Sequence, residues 1–568
     1  MNPILPKDIH QFMDWPWSKI EPLFQELNNR PIDDSNVGAW LGDWSRLDEY
    51  IAETFNRLYV ATSVDTTDKA AEQRYATFLD DIFPKAEAAD QRLKEKLLSS
   101  NLEPTNFEVP LRNMRAETEL FREKNLPLKS EEFKLSTQYD KIIGAQTITW
   151  EGKEITLEQL KPVYQDTDRS KRESGWRLAS ERQLADREAI NELWVKYMDL
   201  RRKMASNADF PEYRSYRWKQ FHRFDYSPQD AKQFDQAIEE VVVPVAQRIY
   251  EKRLQRLGVE SLRPWDLDVD PLSRPPLRPF EQIEELESKS SNIFHNVDPQ
   301  LGEYFDIMRQ DDLLDLDNRK GKAPGGYCTD FTAIRRPFIF MNAVGIHDDV
   351  QTLLHEGGHA FHVFESAVLP YIHQMHVGME FAEVASMAME LLSAPYLTQE
   401  QGGFYTPEDA ARARIEHLEF SIRFWPYMAV VDSFQHWVYE NHAQASNPDN
   451  CDLKWAELWD RFMIGVDWGG LDEEKVTGWH RKLHIHQVPF YYIEYGLAQL
   501  GAMQIWRNAR RDQAQAVSDY RKSLALGGNA PLPELFASAG AKFSFDAGTL
   551  RQACELAEGT IRELESIS

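Results

Sequence analysis

The segment with the most distinctive chemistry is residues 354–362, which read Leu-His-Glu-Gly-Gly-His-Ala-Phe-His. On a helix, positions i and i+4 lie one turn apart on one face, so His355 and His359 can bind a single metal ion together. Glu356 lies beside the first histidine, where its carboxylate can reach a metal-activated water. The spacing therefore predicts a metal site with an adjacent general base. The alternative is an incidental pair of histidines on a helix surface.

A second segment offers candidates for the third metal ligand. A catalytic zinc usually takes three protein ligands and keeps one position for water. Residues 379–390 are largely apolar but include Glu380, Glu383 and Glu390, and a carboxylate beside a buried face needs a partner such as a cation. Glu383 and Glu390 share a helix face, so one can bind the metal while the other orients a histidine. The spacing alone does not decide which does which.

A third segment, residues 484–495, combines histidines with closely spaced tyrosines. Tyrosine hydroxyls and histidine N–H groups are good donors to a developing oxyanion. Tyr492 and Tyr495 are spaced i, i+3 and could point together into a cleft, with His484 or His486 nearby. Taken alone, the segment fits an aromatic core stripe with hydroxyls at its rim better than a catalytic role.

The histidine pair must be carried by a stable helix. Asp348 is the expected N-cap, with Gln351 three residues later as in a capping box. Gly357 and Gly358 each cost roughly 1 kcal/mol relative to alanine inside a helix. A purely structural helix would rarely keep two adjacent glycines, so we expect another part of the chain to approach this backbone closely.

The rest of the sequence reads as mainly helical. Apolar residues recur at helical spacing near residues 79–98, 181–204, 229–257 and 407–439, and again at the C-terminus. Two short β-branched runs around Gly152 predict a small hairpin.

A short apolar run and a proline-rich segment organise the C-terminal half. Residues 338–341 predict a strand that ends near a turn. The prolines of residues 263–280 cannot continue a helix, so this segment is an extended connector. We therefore expect an N-terminal helical part over residues 1–262 and a zinc-binding catalytic part over residues 281–568.

Composition and charge exclude several classes of protein. The chain has 568 residues and a formal net charge of −27, which disfavours nucleic acids and anionic membrane surfaces as partners. No apolar run reaches the roughly 18 residues of a membrane span, and the N-terminal residues do not fit a signal peptide. The three cysteines form no CxxC pair and fit a reducing compartment. We expect a cytoplasmic protein.

Taken together, these motifs resemble the thimet oligopeptidase and oligoendopeptidase F family of zinc metallopeptidases. The segments that carry the resemblance are, in chain order, 263–266, 355–362, 381–386, 489–495 and 532–536. The resemblance implies a mainly α fold, a large helical ellipsoid of two halves around a deep channel, with a small β-sheet near the active site. It also implies a zincin whose third ligand is a glutamate.

The family pattern also implies roles for individual residues. It assigns the third zinc ligand to Glu383, places Glu390 in the second shell, and implies one zinc ion per chain. It likens residues 338–341 to an edge strand against which the substrate backbone lies. The residues that it places near the substrate are Gly325, Gly326, Tyr327, Ala343, Tyr492 and Tyr495, with His484 or His486 upstream of the tyrosines.

The function implied is a zinc-dependent endopeptidase that hydrolyses internal bonds of short oligopeptides through a metal-activated water. Glu356 would take the proton, and a tyrosine hydroxyl, Tyr495 in the first place, would stabilise the oxyanion. A related zinc carboxypeptidase or dipeptidase is the nearest alternative. A non-enzymatic helical binding or scaffold protein is a more distant one. The sequence does not determine cleavage preference or oligomeric state.

Overall fold

The computed structural model describes residues 5–567. About 70% of the chain is helical, and two small β-sheets accompany the helices, so the predicted mainly α fold is confirmed. Within the described residues, no helix is both long and apolar enough to cross a membrane.

Helices make up most of the chain both before and after the proline-rich connector. The helices before it are α1 (Ile9–Met13), α2 (Trp17–Asn29), α3 (Val37–Val64), α4 (Lys69–Asp81), α5 (Phe83–Ser100), α6 (Glu108–Leu120), α7 (Leu126–Gly144), α8 (Leu157–Tyr164), α9 (Arg169–Leu184), α10 (Arg187–Asn207), α11 (Tyr213–Gln220) and α12 (Pro228–Leu257). The helices after it are α13 (Ile283–Val297), α14 (Pro299–Gln310), α15 (His347–Ser366), α16 (Ile372–Met375), α17 (Met379–Ser393), α18 (Pro407–Glu440), α19 (His442–Ala445), α20 (Pro448–Phe462), α21 (Asp472–Val476), α22 (Leu483–Gln487), α23 (Ile493–Ala509), α24 (Gln513–Leu524), α25 (Leu532–Ser538) and α26 (Ala547–Glu565). Short 3₁₀ turns lie at Glu123–Asn125, Pro264–Asp266, Ala394–Tyr396, Gln399–Gln401, Gly478–Arg481 and Gly527–Asn529.

Of the five predicted helices, three are continuous, including the C-terminal helix α26, and two are interrupted. Helices α12 and α18 match the predictions for 229–257 and 407–439 closely. The stretch 79–98 is divided between α4 and α5, because Pro84 lies in the first turn of α5 and has no N–H to continue the preceding helix. The stretch 181–204 is divided between α9 and α10. Apolar periodicity continues across both breaks and therefore does not reveal them.

The smaller sheet is the predicted hairpin. Strand β1 (Thr147–Trp150) pairs antiparallel with β2 (Lys153–Thr156). The turn between them has positive φ at Glu151 and Gly152, 49° and 79°. Two successive left-handed residues suit the twist of a tight hairpin.

The larger sheet contains β3 (Leu314–Asp317), β4 (Tyr327–Phe331) and β5 (Arg336–Ala343) in the order β3-β5-β4. Strand β5 runs parallel to β3 and antiparallel to β4. The edge position expected for residues 338–341 is therefore wrong, since they lie in the central strand. Phe338, Ile339, Phe340 and Met341 are all buried, as a continuous apolar run in a central strand should be. The edge strand that borders β5 on the other side from β3 is β4.

The main hydrophobic core includes residues from both sides of the proline-rich connector. Trp194 and Phe234 precede the connector, Phe361 and Trp425 follow it, and all four belong to one buried cluster. The division of the chain at residues 263–280 into two parts remains a prediction.

Candidate metal centre and active site

The His-Glu-x-x-His pattern lies on α15. An aspartate in the first turn of this helix accepts the free backbone N–H groups at its N-terminus. Oδ2 of Asp349 accepts the backbone N–H groups of residues 344–346 at 2.8, 2.8 and 2.9 Å. The expected cap, Asp348, is therefore wrong by one residue, and its side chain is 62% exposed. The N-cap position is Ile346, which has no side-chain acceptor, so a carboxylate inside the first turn reaches back instead.

The two glycines of α15 lie where other elements approach closely. A Cβ on Gly358 would be 2.4 Å from the carbonyl oxygen of Ala385 and 2.5 Å from Cα of Ser386, both backbone atoms of α17. A Cβ on Gly357 would be 2.6 Å from Cζ of Phe294 on α13. The predicted close approach is present, and it brings α15 and α17 together at the level of the histidine pair.

Three side chains converge between these two helices. Nε2 of His355 and Nε2 of His359 lie 3.2 and 3.4 Å from Oε2 of Glu383. One ligand atom from each of the three lies within 4.8 Å of the others. Two imidazole nitrogens and one carboxylate oxygen form a donor set that suits catalytic zinc. The residues present therefore fit the metal that the motif implies.

A second group of potential ligands is less suited to a metal. Asp48, Asp90 and His373 also bring ligand atoms within 4.8 Å of one another. However, Nζ of Lys94 lies 2.7 Å from Oδ2 of Asp90, so an ammonium group already balances this carboxylate.

Both carboxylates of α17 that face the histidines are held by further hydrogen bonds. The hydroxyls of Ser386 and Tyr491 donate to Oε2 and Oε1 of Glu383 at 2.9 and 2.5 Å. Oε1 of Glu390 lies 2.6 Å from Nδ1 of His355. An outer carboxylate on Nδ1 fixes the histidine tautomer and leaves Nε2 free to bind a metal.

Glu356 is buried beside the convergent side chains. Its Oε2 has no hydrogen-bond partner among the described residues, although the atom is buried. Burial raises the pKa of the Glu356 carboxyl, although the neighbouring His355 and His359 lower it. A Cβ on Gly326, just before β4, would be 3.5 Å from Oε1 of Glu356. The exposed glycine therefore leaves room directly beside this carboxylate.

One histidine and one tyrosine of the 484–495 segment meet near the candidate metal ligands. Nε2 of His484 lies 3.1 Å from the hydroxyl oxygen of Tyr495. Burial and the nearby Lys482 lower the pKa of His484 to about 3, so its ring is neutral. Burial and the charge of Glu383 raise the pKa of Tyr495 well above its usual range, so its hydroxyl keeps the proton. Tyr495 is therefore available as a hydrogen-bond donor.

The ring of Tyr492 packs against both members of this pair, with 5.2 and 5.3 Å between ring centroids, whereas His486 packs elsewhere. Tyr492 is 4% exposed and packs edge-on against Tyr427. His486 is fully buried and stacks on Tyr139 with 4.7 Å between ring centroids. Tyr491, which sequence reasoning did not single out, contacts Glu383. Its i, i+4 spacing from Tyr495 is the signal that could have identified it.

The glycine-rich segment contacts the end of β5 through Asn342, whereas Ala343 pairs with β3. Gly325 adopts a φ of 85°, and its carbonyl accepts the Asn342 amide at 2.8 Å. The ring of Tyr327 stacks on Phe340 at 4.8 Å. Ala343 pairs with Asp317 of β3 and lines a separate cavity of about 520 Å³. Of Gly325, Gly326, Tyr327 and Ala343, Gly326 is the one beside Glu356.

A larger cavity of about 700 Å³ opens next to the first turn of α17. Its walls combine residues from before the connector, such as Asp48 and Glu117, with Asp330 of β4 and Glu380 of α17. Glu380 lies one helical turn before the glutamate of the convergent site. The cavity therefore borders the end of β4 and the first turn of α17, but none of the three convergent side chains lines it.

The helical fold carries a donor set that suits zinc, and a glutamate lies beside it. This combination is typical of a metallopeptidase. The chain matches the model of peptidase family M3 over residues 163–554 and that of the peptidase M3 N-terminal domain over residues 13–111. The chain therefore belongs to peptidase family M3. No curated protein sequence matches it at a significant level.

Solved structures of similar proteins cover nearly the whole chain. PZ peptidase A with an inhibitor is 27% identical, with a TM-score of 0.91, over 97% of this chain and 98% of that one. A structure described as oligoendopeptidase F is 28% identical, with a TM-score of 0.91, over 97% of each chain. Another, from Bacillus anthracis str. Ames, is 25% identical, with a TM-score of 0.87, over 99% and 98%.

The family match defines the reaction class. The chain is a zinc-dependent endopeptidase that acts on oligopeptides. The predicted family, mainly α fold and activity are confirmed, and the non-enzymatic scaffold alternative is excluded. The glutamate third ligand stays a prediction.

Proposed function

We propose that this peptidase works with one zinc ion per chain, held by His355, His359 and Glu383, and that Glu356 is its general base. The observation that carries the proposal is the convergence of three ligand atoms beside a buried Glu356 oxygen without a partner. Zinc, when bound, acts as a Lewis acid that lowers the pKa of water and polarises a carbonyl.

Glu356 has the environment of a proton carrier. It accepts a proton from the attacking water and passes it to the leaving nitrogen of the cleaved bond. Burial raises the pKa of its carboxyl, which brings the group nearer to the pH at which it must both accept and release a proton. The room beside Gly326 lets the cleaved peptide bond approach this carboxylate without a steric clash.

Tyr495 and His484 stabilise the negative charge that develops on the carbonyl oxygen. The Tyr495 hydroxyl keeps its proton and lies beside the His484 ring, so it can donate to an oxyanion. Tyr491 acts differently, because its hydroxyl is engaged with Glu383 and so holds a metal ligand in place.

Short peptides are the substrates, and they enter along β4. A peptide strand that pairs with a sheet edge gains affinity from its backbone, with little dependence on its side chains. The cavity of about 700 Å³ next to β4 has room for several residues on one side of the cleaved bond. The thiols of Cys328, Cys451 and Cys554 are free. Free thiols are typical of a protein that works in a reducing compartment such as the cytoplasm.

Glu356→Gln tests the assignment of the general base. The variant should retain zinc and lose about 10²–10⁴-fold in kcat on a blocked oligopeptide. Glu365→Gln is the matched control, because this glutamate lies on the same helix and pairs with Arg521 at 2.7 Å, away from the ligands. Metal analysis should find one zinc per chain in all three proteins. Undiminished turnover by Glu356→Gln would contradict the proposal.

A further inference from the structure

Glu390 lies between two imidazole rings that belong to different helices. Its Oε1 is 2.6 Å from Nδ1 of His355 on α15, and its Oε2 is 2.6 Å from Nε2 of His417 on α18. Glu390 is 8% exposed and His417 is 6% exposed. Both oxygens of one buried carboxylate are thus engaged by histidines, and three helices are joined through it.

His417 does not contact the candidate ligands directly. It can influence the metal only through Glu390, whose other oxygen holds the Nδ1 side of His355. A carboxylate with one oxygen bound and the other left unsatisfied in a buried position tends to rotate or to take up a proton. Either change weakens the hydrogen bond that fixes the tautomer and orientation of His355.

We propose that His417 is a positioning residue: by donating its Nε2 proton to Glu390, it fixes the carboxylate that orients His355 and thereby sets the affinity for zinc. The proposal rests on the zinc assignment made above. It adds α18 to the elements that define the metal centre, although α18 supplies no ligand. Removal of outer partners of this kind typically costs 10–100-fold in metal affinity.

The experiment compares substitutions at His417 that remove or restore one donor. His417→Phe removes the donor, and we expect its zinc dissociation constant to rise about 10–100-fold. His417→Gln places an amide nitrogen near the original Nε2 and should stay within about threefold of the wild-type chain. His417→Asn is equally polar but too short to reach Glu390, so it should resemble the phenylalanine variant. Competition with a chromophoric chelator measures each constant on the zinc-free, full-length protein.

A control separates this role from the ordinary cost of losing a buried histidine. His436 also lies on α18, is 2% exposed, and has Nε2 3.2 Å from a carboxylate oxygen of Asp432. His436→Phe should lower the thermal stability of the zinc-free chain but leave zinc affinity within about threefold.

Two outcomes would overturn the proposal. One is a folded His417→Phe protein that binds zinc as tightly as the wild type. If that variant does not fold, equal zinc affinities of the asparagine and glutamine variants would overturn the proposal instead. A wild-type chain that bound no zinc at all would instead refute the zinc assignment itself, so the two failures can be told apart.

Discussion

Gly358→Ala tests whether the spacing of two helices determines metal binding. The new Cβ would lie 2.4 Å from a backbone oxygen and 2.5 Å from a backbone carbon of α17. Ordinary contacts are about 3.5 Å or longer, so α15 and α17 must separate by about 1 Å. Ligand distances at a metal site hold to about 0.2 Å. The shift should therefore weaken zinc binding by at least about 100-fold.

The effect on folding itself should be smaller. Overpacking typically costs about 1–3 kcal/mol, and replacement of a helical glycine by alanine returns about 1 kcal/mol. The net loss of stability of the zinc-free chain is then about 0–2 kcal/mol. A defect confined to metal binding can therefore be separated from general unfolding.

Thermal unfolding with and without zinc provides the assay. At a zinc concentration 100 times the dissociation constant, binding stabilises the wild-type chain by about 2.7 kcal/mol. A 100-fold weaker site gains only about 0.4 kcal/mol at the same concentration. Gly357→Ala is the control, because its Cβ meets the ring of Phe294 on α13 and not the backbone of α17, which carries Glu383. A Gly358→Ala protein with the full zinc-dependent stabilisation and full activity would refute the reasoning.

Three other substitutions test separate parts of the structure. Arg223→Met leaves the buried carboxylates of Glu380 and Glu494 without their cation, and urea denaturation should show a loss of about 3–5 kcal/mol. Burial raises the pKa of Asp140 to about 7, so the folded chain keeps a proton that the unfolded chain releases above about pH 4. Wild-type stability should thus fall between pH 4 and 7, and Asp140→Asn should remove up to about 4 kcal/mol of that loss in melting experiments. Tyr495→Phe should lower kcat about 10²–10³-fold with zinc affinity unchanged.

Contacts within one helix were the easiest part of the site to anticipate. The i, i+4 spacing of His355 and His359 follows from helix geometry, and the cost of two adjacent glycines indicated a close neighbour before any neighbour was known. Glu383 and Glu390 could be recognised as a pair for the same reason. Their division of roles required the family resemblance, because both lie on one face of α17.

Contacts between elements were harder to anticipate. Residues 338–341 form a continuous apolar run, which suits a central strand, but the family resemblance favoured an edge strand. The strand order depends on pairing with β3 and β4, which the run itself does not specify. His417 lies on α18, which is buried on nearly all sides. Apolar periodicity then identifies no single inward face, and the approach of His417 to Glu390 is set by the packing of three helices.

The choice among the tyrosines depends on a turn of the backbone that the spacing rule does not show. The i, i+3 spacing of Tyr492 and Tyr495 does bring their rings together, with 5.3 Å between centroids, because Tyr492 already has helical backbone angles just before α23 begins at Ile493. Phe490 has a φ of 68°, uncommon for a bulky residue, and Arg223 donates to its carbonyl at 2.6 Å. The chain therefore turns just before the tyrosines. Tyr491 reaches Glu383 while Tyr492 is buried against Tyr427, and spacing along the helix does not distinguish these two roles.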